Sequence, residues 1–156
     1  MAARTFIVAK GRINELAQRV ADGANPANAG FFIAYYQGTI QADNVLETHL
    51  TKTAVDAGNA IATFTNYSTD ASRLLANVSQ TISGTEVYAD ANDLTITTAG
   101  GTTNNTITRA ILYYTPDTTA ITNATSVPLV HYQFDVTTTG VDLTFEIGAG
   151  GLYVTG

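Results

Sequence analysis

The chain has 156 residues, of which 45% are hydrophobic and only 13% charged, with a net charge of −6 and no cysteine. This length suits one domain with one core, and the apolar share excludes a disordered polyelectrolyte. Missing thiols exclude a disulfide framework and thiolate chemistry, and the low charge leaves the polar surface to neutral groups, threonine above all.

Residues 1–19 carry Arg4, Lys10, Arg12 and Arg19 against Glu15 alone, while the rest carries Lys52, Arg73 and Arg109 against twelve acids. Residues 1–25 are read either as a solvated helix face beside an acidic domain or, the functional reading, as a basic arm with Arg4, Lys10, Arg12 and Arg19 meeting an acidic subunit or partner protein. The acidic remainder would repel phosphates, so nucleic acid is not an expected partner. Within the arm, Ile13, Leu16, Ala17 and Val20 recur at helical spacing, which predicts a helix over 9–22 that stops at Gly23. The first residues contain no long apolar run, so no secretory leader is expected, and no stretch approaches a membrane span. The sequons at Asn66, Asn77, Asn104 and Asn123 are accordingly read as incidental.

The run 31–36 (FFIAYY) predicts a strand covered on both faces. Residues 41–57 are ambiguous, with Asp43 as a possible cap for a short helix carrying Val45, Leu46 and Leu50. Residues 60–64 read as a strand or an extended link, and 66–72 as polar loop. From residue 73 onward the pattern is β. Alternation at Val78, Gln80 and Ile82 is followed by an extended piece at 85–88, a turn at 90–93 and a short strand at 94–97. A loop rich in turn formers spans 99–105, and 107–115 (ITRAILYYT) reads as a central strand. Val130, Tyr132, Phe134 and Val136 alternate with His131, Gln133 and Asp135. After a Thr-Gly turn, Val141, Leu143, Phe145 and Ile147 alternate with Asp142, Thr144 and Glu146, which predicts a hairpin. Residues 148–151 are a glycine-rich break, and 152–154 a last edge strand, added to this chain or to a neighbour. The expected fold is mainly β: an antiparallel β-sandwich, jelly-roll-like, over 30–156, with one short N-terminal helix, in a single domain.

No constellation for chemistry stands out. There is no Gly-X-Ser-X-Gly, and His49 and His131 are expected on solvated surfaces. Asp90, Asn92 and Asp93 are the richest oxygen cluster, but Asp and Asn are also what a tight turn uses, so no metal is expected. Dispersed carboxylates leave a hydrolase conceivable, yet the chain has no Trp to serve as a sugar platform. An adjacent aromatic pair must send one ring to each face of a strand. Tyr35, Tyr36, Tyr113 and Tyr114 are therefore expected to place rings on an outer face, where a second subunit covers them.

The run 111–117 (ILYYTPD), the run 127–134 (VPLVHYQF), the Thr-Gly turn before Val141, the segment 10–15 (KGRINE) and the stretch 63–67 (TFTNY) together resemble small virion structural proteins of tailed bacteriophages. Within that group the chain is most similar to capsid cement, or decoration, proteins. The resemblance implies a non-catalytic protein without cofactor, made in the host cytoplasm and carried in the virion, that forms a homotrimer on the major capsid protein. A fibre or host-binding adhesin module, acting through loop 99–105, is the alternative.

Overall fold

The computed structural model describes residues 2–24, 26–67, 73–84, 86–148 and 151–155. Its organising element is a four-stranded antiparallel sheet in the order β1-β7-β6-β2, built from β1 (Ala2–Thr5), β2 (Gly30–Gln37), β6 (Thr106–Thr115) and β7 (Val127–Thr137). A three-stranded sheet, β3-β4-β9, is made of β3 (Ser79–Ser83), β4 (Glu86–Asp90) and β9 (Tyr153–Thr155). A pair completes the strands: β5 (Leu94–Ala99) and β8 (Val141–Phe145). The fold is thus mainly β and antiparallel, with a short N-terminal helix, α1 (Ile13–Asp22).

Alpha-1 starts later than its periodicity suggests. Residues Ile7–Ala9 form a separate 3-10 turn, and Gly11 then adopts a left-handed φ of 79°, which ends one coil and allows the next to begin. At its other end Gly23 takes the left-handed cap, and its N–H returns to the Arg19 carbonyl. The ambiguous segment resolves into two short helices, α2 (Asp43–Leu46) and α3 (Lys52–Gly58), with the Thr51 hydroxyl capping α3 at the Ala54 N–H. Residues 60–64 are the extended link: Ala62 N–H donates to the Tyr35 carbonyl and Gln37 N–H to the Ala60 carbonyl. Leu75 N–H likewise donates to the Phe31 carbonyl, so the outer edge of β2 is capped by its own chain. The expected loop 66–72 lies outside the described residues from 68 onward, as do positions 149 and 150 of the glycine-rich break.

Two expectations are corrected. The first residues are not only an arm, because Ala2–Thr5 pair residue for residue with β7, from Ala2 against Gln133 to Thr5 against Val130. Second, β7 and β8 do not form a hairpin with each other. Beta-7 pairs with β1 and β6, whereas β8 pairs with β5. The segments β5–β6 and β7–β8 run as one long antiparallel ribbon that bends where both strands change sheets. At the bend Thr138 N–H donates to the Asn105 carbonyl and Gly140 N–H to the Ala99 carbonyl. Gly140 has φ 95°, and a β-carbon there would lie 3.3 Å from Gly101 Cα, so two glycines are what let the strands cross this closely. A Thr-Gly pair serves such a corner as well as it serves a hairpin turn, which is why the local pattern misleads.

The core runs from Phe6 to Tyr153 and lies on both faces of the four-stranded sheet. On one face Phe32 stacks on Tyr113, with ring centroids 5.2 Å apart, beneath α3. On the other face Phe31 meets Tyr114, Tyr35 meets Tyr67, and Tyr132 meets Phe145 of β8 edge to face. The three-stranded sheet is tied to α1 by Tyr153 Oη, which donates to the Ile13 carbonyl, and by Gln80, which donates to the Asn14 carbonyl.

Candidate functional site

The expectation that Tyr35, Tyr36, Tyr113 and Tyr114 form a subunit interface is corrected by this packing: all four are buried within one chain. Each adjacent pair does split between the two faces, as pleat geometry demands. Both faces, however, are already covered, by α3 on one side and by Phe64, Tyr67 and Leu75 among the buried or half-buried residues on the other.

The basic residues of the N-terminus are divided in role. Arg4 lies on β1 and reaches Asp43 at 2.9 Å and Glu47 at 3.2 Å within its own chain. Arg19 pairs with Glu15 one helical turn away at 2.6 Å. Lys10 and Arg12 are exposed beside the start of α1. Such exposed pairs contribute about 0–1 kcal/mol each, so they set surface charge rather than hold the fold.

Two polar clusters lie between the sheet and the short helices. The first gathers Arg4, Asp43, Glu47, Arg109 and His131. Arg109 Nη2 donates to Asp43 Oδ1 at 3.0 Å and Nη1 to the Thr108 carbonyl at 3.1 Å. Burial would raise the Asp43 carboxyl, but the hydrogen bond and charge of Arg109, with His131 and Arg4 nearby, leave it below the usual carboxylate range. His131 is another correction. It is 1% exposed, not solvated, because the face it shares with Ile111 is roofed by Phe6, whose ring stands edge-on at 5.5 Å, and by Glu47 at 3.4 Å. Burial pushes the His131 imidazole below its ordinary 6.5. The Glu47 hydrogen bond and the charge of Asp43 oppose this, and Arg109 adds to it.

A pH dependence follows. The folded state holds fewer protons on His131 than the unfolded state, so stability rises with pH across this group. Its neutral form is at no disadvantage above 6.5, and stability declines as pH falls through 6.5 toward the lower folded value. Urea midpoints at pH 7.5 and pH 5 should therefore differ more in the native chain than in His131→Asn, and equal differences would rule His131 out as the source.

The second cluster is centred on Lys52, which is 1% exposed at the first position of α3. Its Nζ donates to Asp56 Oδ2 at 2.8 Å and lies 5.9 Å from the centre of the Tyr113 ring. Tyr36 Oη donates to Asp56 Oδ1 at 2.7 Å and shares a 2.6 Å hydrogen bond with Tyr113 Oη. Burial and the neighbouring Asp56 and Tyr113 push the Tyr36 phenol well above its ordinary 10. Asn123, in the connection between β6 and β7, donates its Nδ2 to the same Asp56 Oδ2 at 2.9 Å. Sequence reasoning passed over this cluster, although Lys52 and Asp56 stand four apart in a candidate helix, a spacing at which they meet.

Elsewhere several carboxylates accept backbone N–H groups, near and far in sequence. Asp90 accepts from Ala91 N–H within its own turn, whereas Asp93 accepts from the distant Ile147 N–H just past β8. His49 Nε2 lies 2.8 Å from Gln41 Oε1. Among the described residues no group of three or more His, Asp or Glu is arranged to hold a metal, and no helix is long and apolar enough to cross a membrane. No protein-family model, no curated protein and no solved structure matches the chain.

Proposed function

We propose that the chain is a non-catalytic virion protein of the capsid cement kind, which binds the assembled head shell as a homotrimer and stabilises it. The observation that carries this reading is the chemistry of the exposed strands. Ile82 on β3 is 74% exposed and Val141 on β8 is 68% exposed, and Val136 on β7 is also open. On the opposite faces of β8 and β7 exposed threonines pair across strands, Thr95 with Thr144 and Thr106 with Thr137, each at 2.9 Å. The uncharged positions at Ile82, Val136 and Val141 lose little when dehydrated, and depletion of charge is what marks the centre of a protein interface. The likeness of the sequence to small phage virion proteins agrees with this reading. A protein that binds only the assembled shell stabilises that state by mass action, by about 2.7 kcal/mol per site when its concentration is a hundredfold above Kd.

The test uses the purified chain and shells of the encoding virus prepared without it. Light scattering should give a trimer, and adding the chain should raise the shell melting temperature. Val141→Asp should weaken that effect, since it puts a charge on the neutral surface. A monomer that leaves shell melting unchanged would overturn the proposal.

A further inference from the structure

Asp56 Oδ2 accepts two hydrogen bonds whose donors differ in chemical kind. One is the amine of a lysine, a nucleophile once it has lost a proton. The other is the carboxamide nitrogen of an asparagine, which is the leaving group of an amide exchange. From this geometry we infer that Lys52 and Asn123 join in an intramolecular isopeptide bond, with Asp56 as the catalytic proton carrier. In that step Lys52 Nζ gives a proton to Asp56 and attacks Asn123 Cγ. The new Nζ–Cγ bond forms, the proton held by Asp56 passes to Nδ2, and the Cγ–Nδ2 bond breaks to release ammonia; the second proton of Nζ then passes through Asp56 to that ammonia, which departs as ammonium and leaves a neutral amide. Amide is exchanged for amide, so no oxidant, reductant or co-substrate is required. A single carboxylate oxygen at 2.8 Å from the nucleophile and 2.9 Å from the leaving nitrogen is placed for both proton transfers.

Three further features favour the reaction. The reactants are held together by backbone: Thr53 N–H donates to the Asn123 carbonyl at 3.2 Å and Lys52 N–H to the Ser126 carbonyl at 2.9 Å. The turn carrying Asn123 is itself closed by Ser126, whose N–H and Oγ both donate to the Thr122 carbonyl. Such fixed proximity removes much of the entropic barrier. Asp56 is also held, its other oxygen taking the Tyr36 hydroxyl, which is in turn anchored on Tyr113. Finally, Lys52 is buried while Asn123 is exposed, so water is kept from the nucleophile and ammonia has a direct exit. The bond would tie α3 to the β6–β7 connection. A cross-link between positions so far apart in sequence restricts the unfolded chain and raises stability, as a disulfide does in a protein that has none. The inference does not depend on the proposed function.

Intact-mass spectrometry of the purified full chain tests it. The expected mass is below that of the sequence by one ammonia, with tryptic cleavage lost after Lys52 and one branched peptide joining residues 52 and 123. Lys52→Arg and Asn123→Ala should both restore the full sequence mass. Asp56→Ala, checked for native circular dichroism, should keep both reactants and yet show the full mass, and Asp56→Glu should restore part of the loss. A succinimide at an asparagine also expels ammonia, but it would survive Lys52→Arg and leave cleavage after Lys52 intact. That outcome, or a native chain of full sequence mass, would overturn the inference.

Discussion

Phe32→Ala is expected to cost about 3–5 kcal/mol of stability, the range for deleting a fully buried aromatic ring. Phe32 has no exposed surface, and its ring lies nearly parallel to Tyr113, with 14° between the planes. Removing it leaves a void that the antiparallel β2–β6 pairing cannot close by sliding, because Phe32 sits opposite Tyr113 in a register continued by six further aligned pairs. It also removes the surface on which Tyr113 rests while that residue holds Tyr36 and Asp56 in place. Urea denaturation should show the midpoint falling with an unchanged slope. Phe32→Leu, which keeps most of the volume, should lose much less. Equal losses in the two variants would show that the aromatic ring itself, and not the volume it fills, supplies the stability.

Arg109→Met is expected to cost about 2–3 kcal/mol, below the range for breaking a fully buried ion pair because Asp43 is partly exposed and Arg4 remains beside it. Methionine fills the space of the aliphatic stem, so the loss reports the guanidinium and not a cavity. Arg109 is 11% exposed, and its removal strands Asp43 next to a roofed His131. The cost should also depend on pH in a defined sense. A carboxyl held below its unfolded value of 3.8 contributes stability that is present above that value and lost as pH falls through the lower folded value. The native chain and Arg109→Met should therefore differ at neutral pH and converge well below pH 3.8. Arg4→Gln, which alters only the exposed side of the cluster, should cost about 0.5 kcal/mol. Guanidinium titrations of the three chains at two pH values measure all of this.

The two variants probe opposite ends of what the sequence reveals. Alternation in β6 and β7 and the helical spacing of Ile13, Leu16 and Ala17 are visible because each element's own burial imposes its period. The splitting of Tyr35 from Tyr36, and of Tyr113 from Tyr114, is equally legible, since it follows from the pleat alone. What lies opposite each face is not, because that depends on residues far along the chain. Alternation set His131 apart from Val130 and Tyr132 correctly, yet nothing near it in sequence announces that Phe6 and Glu47 close over it. The same holds for the tyrosines, whose cover comes from α3 and from Phe64, Tyr67 and Leu75 and not from a second copy. Beta-1 was hidden for another reason: a four-residue edge strand draws its conformation from the strand it pairs with, and its own residues carry no alternation. The ribbon bend at Gly140 shows a third limit, since a positive-φ glycine suits a corner and a hairpin equally. The Lys52 cluster combines both situations. Lys52 and Asp56 are neighbours by helical spacing, but Tyr36, Tyr113 and Asn123 reach them only through the tertiary fold.

Buried tyrosines remove the most obvious adhesive surface and shift the weight of the proposed function onto the exposed apolar residues Ile82, Val136 and Val141. Electron cryo-microscopy of the virus that encodes the chain tests this most directly. The account expects threefold density on the outer face of the head shell that fits three copies of this fold and is lost from particles made without the chain. Its absence from the shell, with the fold found at the tip of a tail fibre or not in the particle at all, would contradict it.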